Sequence, residues 1–109
     1  MINKGSIILA YLPQADGGSK LRPVLILRKL PTYDDYLVCG IFTQLHRAVQ
    51  NFDIVLVTNK INNLRTNSLA RLSFLSVLTE RDIQGVLGQV EKTEHQQLLQ
   101  NLSNYLVHT

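Results

Sequence analysis

Cysteine is nearly absent from this chain: Cys39 stands alone among 109 residues. One thiol excludes an internal disulfide and a zinc site built from several thiolates, and it suits a reducing compartment. Long apolar runs are missing as well. No window reaches the roughly 20 apolar residues that a membrane-spanning helix needs, and Met1 to Gly5 leads into too little apolar sequence before Pro13 for a signal peptide. The expectation is a cytoplasmic chain without a membrane partner. There are no internal repeats or low-complexity tracts. The loop before Lys20 lacks the Gly-Lys-Ser or Gly-Lys-Thr ending of a P-loop, and neither the serines nor Cys39 occupy a nucleophile elbow. His46, His95 and His108 have no metal-ligand spacing, so no metal or other cofactor is expected.

Acidic residues are also scarce. Eight carboxylates face eleven lysines and arginines, a formal charge of +3. Lys20 to Lys29 holds four cations and no acid, and Ile54 to Thr79 holds Lys60, Arg65 and Arg71 without a carboxylate. Such stretches suit a polyanion, whose counterions are released on contact, and they equally suit a solvated face of a mildly basic protein. An apolar fraction of 45% with 17% charged residues belongs to a packed protein. The length predicts one domain over residues 1–109, small enough that pairing with a second copy would hide additional apolar surface.

The apolar pattern predicts a mainly β fold with one closing helix. Strands are expected at Ser6 to Leu12, Arg22 to Leu30, Tyr36 to Gln44, Phe52 to Val57, Ser68 to Leu78 and Gly85 to Val90. Pro23 belongs at a strand start or edge because it has no amide donor. Residues 58–67 read as a loop with room for one short helical turn, and Thr79 to Ile83 as a single turn of helix. Thr93 and Gln96 predict a capping box, followed by an apolar stripe of Leu98, Leu99, Leu102, Tyr105 and Leu106 at helical spacing. Short strands without intervening helices point to a small β-barrel or strongly bent sheet.

If the polyanion is RNA, cleavage needs a base for the 2′-hydroxyl, charge stabilisation at phosphorus and a proton for the leaving 5′-oxygen. Arg22 suits the second task, because its planar fork holds two phosphate oxygens; the alternative is a surface ion pair at a strand end. Thr43 can orient a phosphate oxygen, or can simply be a β-branched strand residue. Arg71 interrupts an apolar strand and should face solvent, a carboxylate or a phosphate. His46, three residues after Thr43, is a candidate proton carrier or a solvated loop histidine. The loop Asp16, Gly17, Gly18, Ser19 and Lys20 could approach a substrate through its free amides and its cation.

Taken in order, Gly5 and its apolar strand, the loop Pro13 to Lys20, Leu21-Arg22-Pro23-Val24-Leu25-Ile26-Leu27, Ile41-Phe42-Thr43, Ser68-Leu69-Ala70-Arg71-Leu72 and Gly88 before the helix resemble the PemK/MazF toxins of type II toxin–antitoxin systems. The resemblance runs over nearly the whole chain, and Arg-Pro before four aliphatic residues is its most specific piece. It implies a small SH3-like β-barrel of the MazF/PemK/CcdB kind. It also implies a homodimer that cleaves single-stranded RNA without a metal, leaving a 2′,3′-cyclic phosphate and a 5′-hydroxyl, and that is silenced by a cognate antitoxin protein. Carried over by position, Arg22 stabilises the reacting phosphate, Thr43 positions it and Arg71 matches a basic proton donor. Asp16 to Lys20 would border the RNA groove, with Gln44, His46 and the small residue Ser68 beside it. Ser6 and Ser73 stand where other members carry acids, which leaves Asp16 and His46 as candidate bases. The alternative within the same fold is a non-catalytic toxin or binding module, such as a gyrase poison or an RNA-binding barrel.

Overall fold

The computed structural model of the chain describes residues 2–13 and 19–108. Six strands follow in order, β1 (Ser6–Pro13), β2 (Ser19–Lys29), β3 (Asp35–Phe42), β4 (Ile54–Leu56), β5 (Ser68–Thr79) and β6 (Ile83–Gln89), before the single α-helix α1 (Lys92–Val107). Short 3-10 helices at Leu45–Arg47 and Glu80–Asp82 complete the elements. The strands form one sheet in the order β4-β5-β3-β2-β1-β6, every pairing antiparallel. The fold is therefore mainly β with a C-terminal helix.

The central strands are buried on both faces. Val24, Leu25, Ile26 and Leu27 are each 0% exposed, so the aliphatic run after Pro23 fills two cores rather than one. One core, under α1, gathers Ile7, Leu25, Leu27, Cys39, Ile41, Leu56, Ala70, Leu72, Leu98 and Leu102. The opposite face gathers Ile8, Ala10, Leu12, Val24, Ile26, Val38 and Leu78, with Phe74 and Ile83 packed against them. A sheet can cover its own second face only by bending. The bend falls in β5, where Gly40 pairs with Arg71 but Cys39 pairs with Leu75, so that three residues of β5 have no counterpart in β3. Such an insertion increases local twist and curls the sheet.

Strand pairing does not close the barrel; the connection between β4 and β5 does so instead. The amide of Gln89 on edge strand β6 donates to Ile61 O at 3.1 Å, and Asn63 Nδ2 donates to Leu87 O at 2.8 Å. Gly88 makes this approach feasible, because a Cβ there would stand 2.7 Å from the carbonyl oxygen of Asn62. Residues 58–67 contain turns and no helix. Their side chains do the folding: Asn62, 0% exposed, accepts from the amides of Asn59 and Leu64 and donates to Val57 O.

The helix differs from the sequence expectation at both ends. Its cap is Glu91, whose amide donates to Glu94 Oε1 at 2.9 Å. Thr93 and Gln96 lie inside the helix, because an ionised carboxylate two residues earlier satisfies the free amide more strongly than a carboxamide would. Leu98 and Leu102 are buried as expected, whereas Tyr105 and Leu106 are about 70% exposed; Tyr105 meets only the edge of the core, with its ring 5.0 Å from that of Phe52. His95 is buried, its Nε2 2.7 Å from Leu27 O, and so ties α1 to β2.

Candidate functional site

The antiparallel register carries the candidate residues to one end of the sheet. β2 begins at Ser19, three residues earlier than its sequence expectation, and Pro13 pairs with Ser19. At this end β2 contributes Lys20 and Arg22, β3 finishes at Phe42 just before Thr43, and β5 starts at Ser68. Gln44 precedes the 3-10 turn that holds His46, and both are exposed. Asp16, Gly17 and Gly18 lie outside the described residues.

Within this end, the candidates occupy two faces. A cleft of about 510 Å³ has Leu9, Leu21, Pro23 and Leu87 as apolar walls, with Thr43 and Ser68 on one side and the segment Asn63 to Thr66 as its rim. Its volume lies in the range of roughly 300–1,000 Å³ that small-ligand sites occupy. Thr43 is exposed into this cleft, while Ser68 is 4% exposed and spends its hydroxyl on Thr66 O at 2.9 Å. Ser68 is thus a structural latch for the rim.

Arg22 and Arg71 sit on the other face. Arg22 pairs with Ala10 and lies two residues along β2 from Val24, on the same face as the Val24–Gly40 pair, and Gly40 pairs with Arg71; paired residues of antiparallel strands share a face. Arg22 is half-buried. Over Gly40 lie the rings of Phe42 and Phe74, in edge contact with centroids 5.3 Å apart, and the space a Cβ would need is filled by Phe42. Arg71 is not in open solvent. Its guanidinium is 5.4 Å from the centroid of Phe42, and its Nε is enclosed without a hydrogen-bond partner among the described atoms.

Sequence reasoning omitted Arg65, which lines the cleft with Thr43 and Ser68. Its signal was present as one of three cations in the acid-free stretch from Ile54 to Thr79. The acids nearest in sequence have structural tasks. Asp53 accepts from the amides of Val49 and Leu72, each at 2.9 Å. Ser6 accepts from the amide of Asn3 and is 4% exposed. Among the described residues no group of three or more histidines, cysteines and carboxylates is arranged to hold a metal ion, and no helix is long and apolar enough to cross a membrane.

Solved structures share this architecture. A Mycobacterium tuberculosis toxin, MazF-mt6, superposes with a TM-score of 0.70 at 22% identity, covering 93% of this chain and 95% of its own. An endoribonuclease in complex with its cognate antitoxin from a mycobacterial species gives a TM-score of 0.70 at 16% identity, covering 100% and 98% of the two chains. A further M. tuberculosis toxin gives 0.62 at 21% identity, covering 76% of this chain and 90% of its own. At these identities the likeness is one of fold. No curated protein matches the sequence. Residues 3–106 match the profile of the PemK-like, MazF-like toxin of type II toxin–antitoxin systems. The chain belongs to that family.

Proposed function

We propose that this toxin is an endoribonuclease that cuts single-stranded RNA without a metal ion, and so inhibits translation and growth. The observation that supports the reading is the shared end of β2, β3 and β5, where Arg22 and Arg71 share one face and Thr43, just past β3, lines the cleft on the other. In the reaction a base removes the 2′-hydroxyl proton, the 2′-oxygen bonds to phosphorus, and the bond from phosphorus to the 5′-oxygen breaks. The 5′-oxygen takes up a proton, leaving a 2′,3′-cyclic phosphate and a 5′-hydroxyl. Arg22 stabilises the charge on the pentavalent phosphorus, Thr43 orients a non-bridging oxygen and Arg71 adds positive potential or the leaving-group proton. Asp16 and His46 are the candidate bases. Lys20 and Gln44 flank the path of the strand.

A homodimer and a cognate antitoxin are the proposed protein partners, and the cytoplasm is the proposed compartment. The antitoxin is supported by the solved mycobacterial complex, and dimerisation by the exposed apolar side chains Tyr105, Leu106 and Val107 at the end of α1.

The test is incubation of the purified protein with long single-stranded RNA in EDTA, which should yield discrete fragments with 5′-hydroxyl ends. Intact RNA across diverse sequences would refute cleavage. A second reading, binding without cleavage, is favoured by one observation: among the described residues no carboxylate lines the cleft. Gyrase binding or DNA breaks without RNA scission would support it.

A further inference from the structure

The rim of the cleft has no task in the reaction above, yet its polar side chains are heavily scaffolded. Asn62 is fully buried and makes hydrogen bonds to Asn59 and Leu64 at 3.1 Å and to Val57 at 2.9 Å. Asn67 Oδ1 accepts from the amide of Thr58 at 2.9 Å. Leu64, 7% exposed, and Ser68, 4% exposed, anchor the rim on either side of Arg65 and Thr66. Underneath, hydrogen bonds from Gln89 N to Ile61 O and from Asn63 Nδ2 to Leu87 O pin the segment to β6. Three exposed residues, Arg65, Thr66 and Asn67, are therefore held out between buried anchors. Ordering them has been accomplished in folding and costs little on binding.

Arg65 is exposed over the cleft, and among the described residues it has no ion pair; the pair recorded there is Lys29–Asp34, at 3.2 Å. Among the described residues no carboxylate lines the cleft to receive its charge. Below it, Leu21, Pro23 and Leu87 offer apolar surface suited to the face of an unstacked base, and Thr43 offers a hydroxyl. An unpaired fork above an apolar floor matches one nucleotide of a single strand: base on the floor, phosphate at the rim.

We propose that Arg65 binds a backbone phosphate of single-stranded RNA at this cleft, held in place by the hydrogen-bonded scaffold around Asn62. The proposal rests on the ribonuclease reading for the identity of the strand, and its test does not require cleavage. Wild type, Arg65→Ala, Arg65→Lys and Lys60→Ala are titrated with labelled random-sequence single-stranded DNA over a range of salt. This probe lacks the 2′-hydroxyl and cannot be cut. Lys60 lies on the same connection, carries the same charge and does not line the cleft.

One phosphate contact to a single strand contributes about 0.7 to the slope of log K against log salt. Arg65→Ala should lower the slope by about that amount and weaken binding several-fold at low salt; Arg65→Lys should restore the slope without the full affinity. Lys60→Ala should change the slope much less. An unchanged slope in Arg65→Ala, an equal loss in Lys60→Ala, or no binding of the strand by the wild type overturns the proposal. RNA cleavage that is unaffected by Arg65→Ala would leave the ribonuclease reading standing and remove this one. Binding that depends on Arg65 without any cleavage would do the reverse.

Discussion

Arg71 and Phe42 face each other across β5 and β3, the guanidinium 5.4 Å from the ring centroid, with the enclosed Nε lacking a hydrogen-bond partner among the described atoms. Two energies of opposite sign meet here. A desolvated cation over an aromatic face gains about 0.5–2 kcal/mol, and a buried donor left unpaired costs about 1–3 kcal/mol. They nearly cancel, so stability gives little reason to keep a charge at this position. Arg71→Met, which retains the apolar stem, should move the unfolding midpoint by no more than about 4–8 °C and should reduce RNA cleavage by more than about tenfold. Calorimetry and a cleavage assay on one preparation decide it. A collapse of the midpoint with residual activity intact would assign Arg71 to the core.

Arg22 tests geometry rather than charge. Arg22→Lys keeps the cation and loses the planar fork, so two simultaneous bonds to a phosphate become one. The expected loss in cleavage rate is on the order of 10²–10³, the scale of removing a transition-state donor, with a small change in unfolding midpoint. If lysine supports near-normal cleavage, the fork is not what the reaction uses.

The strand content of this end was legible in the sequence, and its division between two faces was not. Alternation normally reveals which face a strand residue occupies, but Val24 to Leu27 are apolar at every position and buried at every position. Without alternation there is no clue that Leu21 and Pro23 line the cleft while Arg22 points away from it. The bend in β5 was hidden for a similar reason: Leu72 to Phe74 contain no glycine or proline to mark an insertion. Residues 58–67 look like solvated loop because asparagine is polar. Asn62 is nevertheless core, since its carboxamide replaces the ladder partners that the closing segment lacks. The acid-free stretch around Arg65 marked it as a cation, and only the scaffold around Asn62 shows that it stands over the cleft.

Cys39 offers a probe of the first core. Burial, with a smaller contribution from the Asp53 carboxylate, pushes its thiol up to about 12 from 9.0. The thiolate is the reactive form, so at pH 8 the folded protein should react with a soluble alkylating reagent orders of magnitude more slowly than the same protein in denaturant. The sign of the linkage follows. The neutral thiol favours the fold, its contribution is complete below about 9, and it is lost as pH rises toward about 12. Rapid labelling of native protein at pH 8 would show that this core opens readily.

Gly88 and Gly85 sit three residues apart on β6 and should respond oppositely to the same methyl group. At Gly88 an added Cβ meets the backbone carbonyls of Ile61 and Asn62, neither of which can rotate away; at Gly85 it meets open space. Gly85→Ala should therefore be neutral or stabilising by up to about 1 kcal/mol, because alanine restricts the unfolded chain and fits a strand. Gly88→Ala should cost about 1–3 kcal/mol, the usual penalty for forced overpacking. The cost has a specific consequence if the β4–β5 connection closes the barrel: pushing Ile61 and Asn62 outward loosens the Gln89–Ile61 and Asn63–Leu87 hydrogen bonds. Amide exchange at Gln89 should then accelerate in Gly88→Ala more than exchange at the central β2 amides, while Gly85→Ala leaves Gln89 protected. Uniform acceleration across β2 and β6 would mean that the connection unfolds only with the whole sheet and has no separate closing role.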